Sequence, residues 1–125
     1  MPLAALVVDD SPLARKMLIK TLRPEWDMVV KEVCSGVEAM EACRAARYDI
    51  MFLDLTMPEM DGYQVLDALR TEAIKCPAIV VSADIQPRAK DRVMAAGALA
   101  FIKKPVDAAK VDAILKQHGI VSTES

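Results

Sequence analysis

The chain alternates short, continuous apolar runs with longer stretches of helical periodicity. Ala4 to Val8 is apolar throughout, as expected of a strand covered on both faces. It gives way to Asp9-Asp10-Ser11-Pro12, where Ser11 suits an N-cap and Pro12 a first helical position, so a helix is predicted over Leu13 to Leu22. Pro24 stops it. Met28 to Cys34 is rich in β-branched residues and reads as a second strand. Ser35 with Glu38 reads as a capping box, opening a helix with Val37, Met40, Cys43 or Arg44, and Ala46 at helical spacing. Tyr48 to Leu53 is a third strand with Asp54 at its end, followed by a loop containing Pro58. Asp61-Gly62-Tyr63-Gln64 repeats the capping-box pattern before a helix with Val65, Leu66 and Leu69 on one face. Ala78 to Val81 is a fourth strand, ending at Ser82. Pro87 falls in the first turn of a helix that continues to Ala96 and stops at Gly97. Ala100 to Lys103 is the fifth strand. Lys104-Pro105 breaks it, and Val106 to Gln117 forms a last helix before Gly119.

Strands and helices in strict alternation, joined by short loops, imply an α/β fold: a parallel sheet with helices on both faces. No linker or repeat divides residues 1–125, which are expected to form a single domain. A chain of 125 residues can bury a core without disulfide or metal staples, and 54% hydrophobic with 4% aromatic residues makes that core aliphatic. A net charge of −2 argues against a nucleic-acid partner held by electrostatics. No apolar run approaches the roughly 18 residues of a membrane span, and no basic residue precedes the apolar N-terminal stretch, so a cytoplasmic location is expected. Cys34, Cys43 and Cys76 contain no C-x-x-C pair and read as small core-fillers in a reducing compartment. Met17, Met28, Met40, Met51 and Met94 fall on core-facing positions of the predicted elements. His118, the single histidine, closes the last helix, and Trp26 lies at the end of the sheet remote from Asp54.

In a doubly wound sheet, sites form outside the carboxyl ends of the strands, where strand order reverses. Strand one ends in Asp9 and Asp10, strand three in Asp54, strand four in Ser82, and strand five in Lys103 and Lys104. If strands one and three are neighbours, the three carboxylates converge. Two unit charges about 5 Å apart repel by roughly 3 kcal/mol at an effective dielectric near 20, so the cluster is not there for stability. A hard divalent cation such as Mg²⁺ resolves the repulsion, and it favours carboxylate oxygens together with water and phosphate. The residues therefore point to a Mg²⁺-dependent phosphoryl site with a lysine as the second counter-charge. Alternation along the strand means that Lys103 and Lys104 do not both face it.

The run Asp54-Leu55-Thr56-Met57-Pro58-Glu59-Met60-Asp61-Gly62 resembles the phosphoacceptor loop of response-regulator receiver domains. Asp9-Asp10, Ser82 and Lys104-Pro105 match the family's other landmarks in order and spacing, so the resemblance extends from Ala4 to about Gly119. It implies the flavodoxin-like strand order 2-1-3-4-5. Asp54 would be the nucleophile, taking a phosphoryl group from a sensor histidine kinase, a phosphotransfer protein or a small acyl phosphate. Mg²⁺ would be held by Asp10, Asp54 and the backbone carbonyl of Thr56, with Asp9 acting mainly through water. Lys104, before a cis proline bond, would pair with the phosphoryl oxygens. Ser82 and Phe101 would be the switch residues that carry the change to a downstream target protein. Thr56 and Asp84 would flank the water path and tune the lifetime of the phosphorylated state.

The expected product is a stand-alone receiver that catalyses only its own phosphorylation and dephosphorylation, with neither nucleic-acid binding nor membrane insertion. Two other readings remain open. A receiver-like interaction module that is not phosphorylated would be expected to lose part of the set Asp9, Asp10, Asp54, Ser82 and Lys104. A phosphatase of the haloacid dehalogenase type would need D-x-D after the first strand, whereas Asp9 and Asp10 are adjacent.

Overall fold

Parallel pairing of strands that are continuous apolar runs requires helices on both faces of the sheet, and the connections supply them. A computed structural model of the chain describes residues 2–83 and 86–121. Its strands are β1 (Leu3–Val8), β2 (Met28–Val33), β3 (Ile50–Leu53), β4 (Ala78–Ser82) and β5 (Ala100–Lys103). Its helices are α1 (Pro12–Ile19), α2 (Gly36–Ala45), α3 (Gly62–Thr71), α4 (Pro87–Ala95) and α5 (Ala108–Gln117), with a short 3-10 turn at Pro24–Trp26. The strands form one parallel sheet in the order β2-β1-β3-β4-β5. This is the flavodoxin-like arrangement that the resemblance to receiver domains implies.

Side-chain alternation divides the core into two. Leu6, Val8, Met51, Leu53 and Val80 point to one face, where they meet Ala39, Met40, Val65, Leu66 and Val93 of α2, α3 and α4. Ala5, Val7, Ile50, Phe52 and Ile79 point to the other, against Leu18 of α1 and Val111 and Leu115 of α5. Phe52 is the largest side chain sealed in this way, at 1% exposure, and the rest of the buried set is mainly aliphatic.

Several element ends differ from the expected ones, each for a local reason. α1 stops at Ile19 rather than Leu22, because Thr21 donates both its hydroxyl and its N–H to the Leu18 carbonyl, tightening the last turn. β2 stops at Val33, whose carbonyl accepts from Asp9 N–H, so Cys34 is already outside the ladder. β3 starts at Ile50, not Tyr48; the Asp49 carboxylate turns aside to accept from Ala4 N–H at 2.7 Å. α5 starts at Ala108, because Asp107 is its N-cap and leaves Val106 in the loop.

Ser11 and Asp61 cap as expected, and the Asp61–Gln64 box is reciprocal. At Ser35 only half of the expected box forms: the hydroxyl accepts from Glu38 N–H, while the Glu38 carboxylate accepts from Cys34 Sγ and Ser35 Oγ. Val37 and Ala46 are exposed, and α2 instead buries Gly36, Ala39, Met40, Ala42 and Cys43. Among the methionines, Met40 and Met51 are buried and Met28 half-buried, but Met17 and Met94 are exposed, on the solvent sides of α1 and α4.

Candidate functional site

Every strand of a parallel sheet ends on the same edge, so the polar residues closing β1, β3, β4 and β5 meet there. Register decides how closely. Val8 lies opposite Leu53, and Asp54 N–H donates to the Val8 carbonyl at 2.9 Å, placing Asp54 beside Asp9. One carboxylate oxygen from each of Asp9, Asp10 and Asp54 lies within 4.8 Å of the other two. Asp9 and Asp54 are buried, and Asp10 is exposed. On the opposite strand pair, Ser82 lies level with Lys103, and Lys104 N–H donates to the Ser82 carbonyl at 2.8 Å. That bond sets the direction of the Lys104 side chain.

Lys104 reaches both buried carboxylates. Its Nζ donates to Asp9 Oδ2 at 2.9 Å and to Asp54 Oδ1 at 3.5 Å. Lys103, one residue earlier, is exposed, in keeping with alternation along β5. The Lys104-Pro105 peptide bond is cis. The Asp9 carboxylate is held at its other oxygen too, since Oδ1 accepts from Ser11 N–H at 2.9 Å in a turn of the Asx type. Ser82 is sealed at 1% exposure. Phe101 lies on the α2–α4 face, half-buried and packed against that core, and Thr56 is exposed in the loop two residues beyond Asp54. Asp84 lies outside the described residues.

Burial raises the Asp54 pKa first, and the Asp9 charge adds to it, against the opposing effect of Lys104. Lys104 itself is held above its ordinary value: burial would lower it, but its hydrogen bond to Asp9 and the two carboxylate charges outweigh that. Part of the desolvation has a visible source. A mainly apolar cavity of about 310 Å³ lies between the sheet, α1 and the segment after β5, with Asp9, Asp54 and Lys104 in its wall beside Leu18, Phe52 and Val106.

Two supports were not apparent in the sequence. Arg15 donates to the Asp9 carbonyl at 2.6 Å and to the Glu32 carboxylate at 3.1 Å, tying the Asp9 turn to β2. Helical side chains lean towards the N-terminus, so an arginine in the first turn after Asp9-Asp10 was the available signal. Gly62 is the other. A Cβ there would lie 2.6 Å from the Asp54 carbonyl oxygen and 2.9 Å from Leu55 Cα, so only glycine lets α3 start against the end of β3. Glu59, between them in sequence, takes φ 67 while Met60 N–H donates to the Pro58 carbonyl, a tight and strained turn that brings the loop back.

Residues 5–116 match the family described as the response regulator receiver domain. The chain belongs to that family. Receivers accept a phosphoryl group in two-component signalling, and that role, with the fold, carries to this chain. Among curated relatives, it is 37% identical over 84% of its length to protein-glutamate methylesterase/protein-glutamine glutaminase 4 of Myxococcus xanthus, covering 30% of that protein. It is 31% identical over 99% of its length to the probable transcriptional regulatory protein TcrX of Mycobacterium tuberculosis, covering 54% of it. The chain thus spans about a third to a half of these relatives. Among solved structures, the signal receiver domain of the putative response regulator NarL of Mycobacterium tuberculosis superposes with a TM-score of 0.84 at 30% identity, over 94% of this chain and 97% of that one. The chemotaxis response regulator CheY4 of Vibrio cholerae gives 0.81 at 27% identity, over 94% and 98%. No helix among the described residues of this receiver is long and apolar enough to cross a membrane.

The oxygen donors of Asp9, Asp10 and Asp54 suit a hard cation such as Mg²⁺, being three carboxylates close enough to share one ion.

Proposed function

We propose that Asp54 is the phosphoacceptor of this receiver and that a sensor histidine kinase or phosphotransfer protein is the donor. One Asp54 carboxylate oxygen attacks the donor phosphorus. A carboxylate–phosphorus bond forms while the phosphorus–nitrogen bond of the phosphohistidine breaks, and the electron pair leaves on the imidazole. The attacking group is already anionic, so the step needs charge neutralisation and alignment rather than a base. The single observation that carries this reading is Lys104, whose ammonium stands 3.5 Å from Asp54 Oδ1 on the edge of the sheet. It is positioned to leave Asp54 for the oxygens of an incoming phosphoryl group while keeping Asp9 at 2.9 Å.

Asp10, Asp54 and the Thr56 carbonyl would hold Mg²⁺, with Asp9 acting on it through water; when bound, the ion neutralises phosphoryl charge and orients the phosphate. Ser82 would turn its hydroxyl to the new phosphate and draw the loop after β4 inward. Phe101 would repack against α4 in response. The output is a changed affinity for a downstream target protein. Incubation with acetyl phosphate and Mg²⁺, read by intact mass, tests the assignment. A labile single-phosphate adduct is expected on the native chain and not on Asp54→Asn, and an adduct that persists on the variant overturns it.

A further inference from the structure

Cys43 and Cys76 are 33 residues apart in sequence yet share one site. Cys43 is in the last turn of α2, buried in the core on that face, and Cys76 is half-buried against the same core, in the segment leading into β4. The two side chains pack on the same core, close enough for each thiol to act on the other's ionisation. Both line a cavity of about 660 Å³, together with Tyr48, Arg44, Arg47 and Lys75. This cavity is at the opposite end of the sheet from Asp54, separated from it by the length of β3, roughly 13 Å at strand rise.

From this pairing we infer that Cys43 and Cys76 form a redox-active dithiol, which hydrogen peroxide converts to an intramolecular disulfide. The Cys43 sulfur attacks the peroxide, forming a sulfur–oxygen bond as the oxygen–oxygen bond breaks, and the released hydroxide takes the thiol proton as water. The Cys76 sulfur then attacks the Cys43 sulfenic acid. The sulfur–sulfur bond forms, the sulfur–oxygen bond breaks, and the hydroxide leaves with the Cys76 proton as a second water. Both sulfurs are oxidised and both peroxide oxygens reduced.

The surroundings favour that order. The neighbouring Cys76 lowers the Cys43 pKa against the opposing effect of burial, while Cys43 and burial together raise that of Cys76. Arg47 and Lys75 add positive charge at the cavity wall, whereas Asp49 acts on Cys76 in the opposite sense. Arg44 also lines it, with its guanidinium paired to Glu72 at 2.7 Å. Cys76 precedes β4 in an irregular segment, which can follow the sulfur as the bond closes. Cys34 is the internal control. It is exposed, but its thiol donates to the Glu38 carboxylate at 2.8 Å, and that bond keeps the proton on sulfur. The expectation that all three cysteines are core-fillers fails at Cys34, which is exposed, and holds for Cys43, buried in the core, and Cys76, packed against it.

The test is titration of the full chain with hydrogen peroxide, followed by alkylation of remaining thiols and peptide mapping. A loss of about 2 Da, a peptide joining Cys43 to Cys76 and an alkylated Cys34 are expected. Cys34→Ser should give the same crosslink, and Cys43→Ser and Cys76→Ser should each abolish it. A sulfenic-acid trap should label Cys43 in Cys76→Ser. The inference is overturned if Cys34 oxidises first while Cys43 and Cys76 stay alkylatable in the native chain, or if only crosslinks between chains appear. Mapping the native chain keeps the result independent of how the serine variants fold, and phosphorylation of Asp54 does not enter it.

Discussion

Replacing Asp54 by asparagine should make this receiver more stable at neutral pH while removing the proposed phosphoacceptor. The Asp54 carboxylate has oxygens of Asp9 and Asp10 within 4.8 Å, a repulsion of about 3.5 kcal/mol from each at an effective dielectric near 20. Lys104 at 3.5 Å returns about 4.7 kcal/mol on the same basis. Asp10 is exposed, so solvent screens its contribution, whereas the 7% exposure of Asp54 adds a desolvation cost that asparagine does not bear. Asp54→Asn keeps the shape and removes the charge, for an expected gain of about 1–2 kcal/mol at pH 7. At this chain length that corresponds to a rise in Tm of roughly 4–8 °C.

The pH dependence has a definite sign. The folded-state pKa of Asp54 is raised, by burial first and then by Asp9, so the folded protein holds this proton more tightly than the unfolded chain does. The native residue is therefore at no disadvantage below the unfolded carboxylate range, near pH 3.9, and the deficit opens as pH rises through the folded value. Paired urea titrations of the two proteins at pH 7 and pH 4 give the comparison, with the variant's lead expected to shrink at the lower pH. A variant less stable than the native chain at pH 7, or a lead that does not change with pH, would refute the electrostatic reasoning.

Two further outcomes follow from the same edge of the sheet. Mg²⁺ at about tenfold Kd should stabilise the native chain by roughly 1.4 kcal/mol, and Asp10→Ala should lose most of that response; equal Tm shifts in both proteins would locate the ion elsewhere. Gly62→Ala pushes a Cβ to 2.6 Å from the Asp54 carbonyl oxygen, a backbone atom that cannot rotate away. It should cost about 1–3 kcal/mol in a urea titration and slow acetyl phosphate labelling, since the displaced backbone carries the proposed nucleophile.

Much of this molecule is legible residue by residue along the chain. A strand buried on both faces must be apolar throughout, so Ala4 to Val8 and Ala78 to Val81 mark themselves. Caps are local chemistry, and Ser11, Asp61 and Gly97 end or begin their helices where expected. That Asp9, Asp10, Asp54, Ser82 and Lys104 share one edge follows from parallel strands, because every strand ends there; how closely they meet depends on strand order and register.

What the tertiary structure decided is everything that depends on which surfaces meet. Periodicity assigned Met17 and Met94 to the core, but their helices turn those positions to solvent. Asp49 looked like part of a strand until the neighbouring β1 offered its carboxylate the Ala4 N–H. Lys104 was expected to serve a phosphate; it is held more closely by Asp9 than by Asp54, a choice set by the β4–β5 register. Arg15 is anchored by Glu32 on a strand that follows it in sequence, and Cys43 meets Cys76 only once α2 and the segment before β4 are packed on the same core. Local pattern is a property of one segment and its own backbone. Contacts between segments depend on register and packing, which no single segment contains.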